Sequence, residues 1–178
     1  MSKPSILAVD PGKTGALYLM SADGSKMRLW HMPLIGGKVT GVGVASVYNE
    51  IIPLCKVPPK VYIEKVQAMK HDGKVGMASY MIGAGYLEMV HMLGWSVTLV
   101  PPVTWCKVMH ASLPQAMKPK DKSRLYISQK YPHLYQKGSQ LWPGRTQHPH
   151  EGLMDSFMLA TYARIKEYGL AQVLPQQS

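Results

Sequence analysis

Apolar and polar residues follow two different periods along this chain, and the changes between them divide it into elements. Ser5-Ile6-Leu7-Ala8-Val9 is a short β-branched run that stops at Asp10-Pro11-Gly12, the pattern of a buried strand ending in a turn. Residues 16–20 and 27–32 read as two more strands, separated by the turn-forming stretch 21–25. Three successive strands predict an antiparallel meander. Residues 60–64, after Pro58-Pro59, and residues 97–100, before Pro101-Pro102, are two further β-rich runs.

Between these strands the period lengthens. Residues 40–54 carry Val44, Val47, Ile51 and Ile52 at helical spacing. Residues 75–93 place Ala78, Met81, Ile82, Gly85, Met89 and Leu93 mostly three and four apart, with Gly94 to close the helix. Residues 103–110 read as a short helix, and 122–130 as a helix capped by Asp121. Residues 132–147 read as loop and 151–168 as a final helix. The order βββαβαβ followed by helices predicts an α/β fold. Its five-stranded mixed sheet begins antiparallel, continues parallel because helices intervene, and is flanked by helices. No repeat or linker divides the chain. Residues 1–172 are expected to form a single domain and 173–178 a frayed tail.

Composition narrows the function classes. With 46% hydrophobic residues and no apolar run near the ~18 residues needed to span a bilayer, a membrane protein is not expected. The first residues lack the pattern of a secretory signal, which makes the cytoplasm the expected compartment. Cys55 and Cys106 have neither CxxC nor Cys/His spacing, so neither a zinc site nor a disulfide framework is suggested. Lys and Arg outnumber Asp and Glu by 20 to 10, a formal charge of +10 that favours a polyanionic partner such as nucleic acid. Plain solubility is the competing reading of that charge, and motifs have to decide.

Two acids, Asp10 and Glu64, each end a strand placed in the middle of the sheet, where α/β folds gather their ligands. Asp155 lies one turn into the last helix, four residues after Glu151, so these two like charges share a helical face. Each acid has a plainer reading: Asp10 as a turn residue, Glu64 as a surface charge, Glu151 as a favourable first-turn charge. Jointly they would repel unless a cation sat between them, and hard oxygen ligands suit Mg²⁺ or Mn²⁺. Two such ions can serve the attacking and leaving oxygens of a phosphodiester displacement. In that scheme Asp10 bridges both ions, Glu64 and Asp155 each hold one, and Glu151 completes the shell or handles a proton. His150, in the loop sequence His148-Pro149-His150, is the second candidate for that last place.

Four segments resemble the RuvC-type Holliday-junction resolvases, especially the shorter RuvC-like enzymes of bacteriophages and organelles. They are Leu7-Ala8-Val9-Asp10-Pro11-Gly12 with Thr14-Gly15-Ala16, Tyr62-Ile63-Glu64-Lys65-Val66, Pro101 through Trp105, and His150-Glu151-Gly152 with Asp155 and Ala160. Together they span almost the whole chain. The resemblance implies an RNase H-like fold, a homodimer, two Mg²⁺ ions per active site and paired nicks across a four-way DNA junction. It matches Asp10, Glu64 and Asp155 to the family's acidic positions. Bacterial members often place their last acidic pair three apart, whereas Glu151 and Asp155 are four apart. The family's junction-wedging aromatic residue is replaced here by the loop Met69-Lys70-His71, leaving Met69 or His71 for that role. The same likeness assigns dimer contacts to the helix over residues 75–93, which carries Gly76, Gly83, Ala84 and Gly85.

Lys118, Lys120, Lys122 and Arg124 form a basic cluster, and Lys65, Lys70, Lys74 and Lys107 fall near the expected catalytic edge; all are candidates for phosphate contacts. Three other readings compete. The same fold and metal chemistry serve nucleases of flaps, other branched DNA or RNA–DNA hybrids. A structure-specific DNA-binding module would carry the acids incidentally. An actin-like ATPase is suggested by Asp10-Pro11-Gly12-Lys13-Thr14-Gly15, although 178 residues leave no room for the usual paired domains.

Overall fold

A computed structural model describes residues 2–66, 73–144 and 146–169. The strands are β1 (Ile6–Asp10), β2 (Ala16–Met20), β3 (Met27–His31), β4 (Leu34–Ile35), β5 (Lys38–Val39), β6 (Lys60–Glu64) and β7 (Val97–Val100). The helices are α1 (Gly41–Ile51), α2 (Gly73–Met92), α3 (Pro102–Met109), α4 (Pro119–Lys130) and α5 (Glu151–Tyr168). Five strands form one sheet in the order β3-β2-β1-β6-β7. The first three pair antiparallel, and β6 and β7 join parallel to β1 and to each other. This is the RNase H-like arrangement.

The period-2 rule explains how the sheet is covered. Ile6 and Ala8 of β1 point into a core shared with Leu153, Phe157 and Ala160 of α5, whereas Leu7 and Val9 meet Val44 and Val47 of α1 and Tyr86 and Val90 of α2. Ile6, Leu7, Ala8 and Val9 are all fully buried, which makes β1 the central strand of the molecule. Trp105 and Met109 of α3 and Ile127 of α4 belong to the α5 side. Among the described residues, no helix is long and apolar enough to cross a membrane.

Two local expectations need correction. Asp121 does not cap α4. The helix starts at Pro119, whose fixed φ suits a first helical position, and Asp121 lies in its first turn, bonded to Arg124 at 3.1 Å. A small hairpin, β4–β5, occupies a stretch the period-2 pattern left unassigned. Its turn is Gly36-Gly37 at φ of 58° and 74°, the paired positive values of a type I′ hairpin turn.

Candidate active site

The sheet register brings the first two acids together. Val9 lies opposite Ile63 in the parallel β1–β6 pair, so Asp10 and Glu64 leave adjacent strand ends on the same edge. Asp155 approaches from α5, which packs against β1 and β2. Two glycines permit this approach. A Cβ on Gly15 would stand 2.0 Å from the Asp10 carbonyl oxygen, and one on Gly152 would stand 2.1 Å from that of Thr14. The turn after β1 and the first turn of α5 are therefore in backbone contact.

The three carboxylates perturb one another. Burial raises the Asp10 carboxyl well above its ordinary value, and the charges of Glu64 and Asp155 raise it further. Asp155 is pushed up to about 7 by burial, then by Glu64 and Glu151. Burial also raises Glu64, against the lowering effect of the Trp105 indole N–H, which donates to Glu64 Oε2 at 2.8 Å. Among the described residues, no salt bridge reaches Asp10, Glu64 or Asp155. Nor does any group of three His, Cys, Asp or Glu side chains close tightly enough to grip a metal as placed. By donor chemistry the set fits a hard divalent cation: three oxygen-only side chains that, among the described residues, form no salt bridge.

Glu151 is placed differently. Its exposed carboxylate pairs with Lys120 and with Arg124 Nη2 at 3.5 Å, which holds its pKa below the ordinary value. His150 caps α5, its Nδ1 accepting the Leu153 N–H at 3.4 Å. A neutral ring with Nδ1 accepting carries its proton on Nε2, so in this arrangement neither nitrogen offers a lone pair to a metal.

Of the basic candidates, Lys118, Lys120 and Arg124 stand alongside Glu151 at the start of α4, and Lys122, on the same helix, lines a separate hollow with Cys106, Lys107 and His110. Lys65 directly follows Glu64, and Lys107 is exposed on α3. Lys74 falls in the first turn of α2. Lys70, with Met69 and His71, lies outside the described residues.

No protein-family model matches the sequence, and no curated protein matches it. Solved structures do. Thermus thermophilus RuvC in complex with a Holliday junction substrate matches at a TM-score of 0.54 and 16% identity, over 94% of this chain and 97% of that one. Another structure of Thermus thermophilus RuvC gives 0.53 and 18%, over 96% and 99%. The yeast mitochondrial Holliday junction resolvase Ydc2 gives 0.55 and 11%, over 94% and 82%. The chain has the fold of the RuvC-type Holliday-junction resolvases.

Within this RuvC-type fold, the structure adds contacts the sequence did not disclose. Trp105 is buried in the core on the α5 side, and its indole N–H also reaches Glu64. A buried tryptophan needs a partner for that donor, which was the available signal. The Cys106 thiol is pushed up to about 12 by burial and by Glu64 and Asp155, which places it beside the acids. Ion pairing of Glu151 to α4 had no signal in spacing, because thirty-one positions separate it from Lys120.

Proposed function

We propose that this chain is a structure-specific endodeoxyribonuclease that resolves four-way DNA junctions by metal-dependent phosphodiester hydrolysis. One observation carries the reading: Asp10, Glu64 and Asp155 converge from β1, β6 and α5, partly buried and, among the described residues, without ion pairs, at the strand ends of a RuvC-type fold. Asp10, whose carboxyl feels the charges of both Glu64 and Asp155, would hold the cations together with those two residues. When bound, two Mg²⁺ ions, or Mn²⁺ in their place, would supply positive charge at the attacking and leaving oxygens.

The remaining residues bind and orient. Lys118, Lys120, Lys122 and Arg124 at the rim, with Lys65 and Lys107, and with Lys70 and Lys74 by their place in the sequence, hold backbone phosphates. Lys120 and Arg124 are occupied by Glu151, and an incoming phosphate competes for the same two cations. Glu151 released in this way becomes the fourth carboxylate, beside Asp155. Paired nicks on opposite strands require two active sites, hence a homodimer. The exposed Met77, Tyr80 and Met81 of α2 supply an apolar face for it.

The test uses labelled four-way junction, splayed duplex, flap, RNA–DNA hybrid and linear duplex with Mg²⁺ or EDTA, alongside Asp10→Asn and Asp155→Asn. Symmetric nicks confined to the junction, lost in EDTA and in both variants, are expected. Equal or better cutting of flap or hybrid replaces the junction claim with a general nuclease of this fold. Junction binding without any cleavage points to a binding module.

A further inference from the structure

We infer that Trp105 is a positioning residue for Glu64, fixing one carboxylate oxygen by a hydrogen bond from an uncharged donor so that the other is presented to a divalent cation. The inference rests on the reading of Glu64 as a metal ligand.

The sheet delivers the indole to this place. Glu64 is registered opposite Val100, and the Lys65 N–H continues the ladder to the Val100 carbonyl at 2.8 Å. The end of β7 is thus held beside Glu64, and α3 begins at Pro102, only two residues on. Trp105 then donates from Nε1 to Glu64 Oε2 at 2.8 Å across forty-one positions of sequence.

An indole N–H is a donor only. It cannot bind a cation, and at working pH it neither accepts nor gives up a proton. A lysine or arginine in its place would also orient Glu64, but it would cancel the charge that draws a metal. Trp105 fixes direction and leaves the charge.

The indole is itself held. Its ring meets His110 edge-on, with centroids 5.9 Å apart at 70°, and a ring nitrogen of His110 lies 3.1 Å from Ser123 Oγ on α4. Trp105, His110 and Ser123 are 3%, 7% and 2% exposed, so the indole cannot swing away without breaking a packed pair. Through this chain the helix that carries Lys120, Lys122 and Arg124 is braced against a catalytic-site carboxylate.

Trp105 also fills the core, so the test must remove the N–H without removing the ring. In the full-length protein, Trp105 is replaced site-specifically by 3-benzothienylalanine, in which sulfur stands where the N–H was. Trp105→Phe is the simpler companion. Mn²⁺ affinity is measured by calorimetry, thermal melting in EDTA, and junction affinity in EDTA.

The benzothienyl variant is expected to melt by a cooperative transition a few degrees below the parent, about 2–10 °C for the loss of one hydrogen bond to a carboxylate, and to bind junction equally well. Its Mn²⁺ dissociation constant should rise about 10–100-fold, the usual effect of losing an outer-shell partner of a ligand. Trp105→Phe should show the same weakened Mn²⁺ binding with a lower melting temperature. Unchanged Mn²⁺ affinity in the benzothienyl variant would overturn the inference and leave Trp105 a core residue. A parent protein that binds Mn²⁺ but cuts no junction would remove the proposed substrate and leave the positioning role standing; one that binds no Mn²⁺ would remove both.

Discussion

Three partly buried carboxylates at one edge of a sheet cost the metal-free protein stability whenever they are charged. Asp10, Glu64 and Asp155 all have folded-state pKa values above the ordinary carboxylate range, with Asp155 at about 7. Between about pH 4 and pH 7 the folded state therefore binds more protons than the unfolded chain, and stability falls as pH rises through that window. Asp23 works in the opposite sense. Hydrogen bonds from Ser21 and Ser25 hold it at about 2, so its contribution is present above about pH 4 and is lost as pH falls toward 2. The two windows do not overlap. In EDTA, the melting temperature should drop between pH 5 and pH 8, and Asp155→Asn should flatten that drop and melt higher at pH 8. For a chain of this size each kcal/mol moves the midpoint by about 2–4 °C. Mg²⁺ should stabilise the parent more at pH 8 than at pH 5, and Asp155→Asn much less at either pH. A metal-free melting curve indifferent to pH from 5 to 8 would refute this account of the acids.

Elements bring those residues together, and α5 does so by backbone contact. Gly152 faces the Thr14 carbonyl across a gap in which a Cβ would stand 2.1 Å from oxygen, and backbone cannot step aside as a flexible side chain can. Gly152→Ala should push the first turn of α5 off the β1–β2 turn and carry Asp155 away from Asp10. The expected cost is on the order of 1–3 kcal/mol of stability, seen as a lower melting temperature, with Mg²⁺-dependent cleavage falling more than junction affinity. Parent-like melting and cleavage would mean that the two turns are not in register contact. Such a contact cannot be read from a sequence, whereas much of the fold can. Strands β1, β6 and β7 were legible as β-branched runs bounded by Pro on at least one side, β2 and β3 by the turn-forming stretch 21–25 between them, and α5 from its acidic start and apolar body. Strands β4 and β5 were not, since two residues are too few to display a period. The acids stood out because Asp10 and Glu64 each close an apolar strand. Their partners did not, because the Trp105 bond depends on β6–β7 register and the Glu151 pairs depend on how α4 lies beside α5.

At the scale of the whole molecule, the basic cluster of α4 and the exposed apolar side chains of α2 stand on different helices. A formal charge of +10 draws a polyanion, and the cations of α4 lie beside α5 near the acids. On α2, Met77, Tyr80 and Met81 are 51%, 49% and 66% exposed, with Leu34 and Ile35 of the hairpin also open, and Val42 of α1 and Val103 and Val108 of α3 are exposed elsewhere. Exposed large apolar side chains grouped on one helix mark an interaction surface. The proposed paired nicks need a second active site, and a second copy meeting this one across α2 would provide it while leaving α4 free for DNA. Gly85, exposed on the same helix with nothing within 4 Å of where a Cβ would stand, allows close approach of a partner helix. Met81→Glu would place a charge in the middle of that contact, where its desolvation is not compensated. Sedimentation should then show a dimer for the parent and a monomer for the variant at micromolar concentration. On a cruciform in a supercoiled plasmid, the parent should yield linear product from two coupled cuts and the variant mostly nicked circles. A variant that remains dimeric would show that the α2 face is not the interface, and a monomeric variant that still linearises the plasmid at the parent's rate would separate resolution from dimerisation altogether.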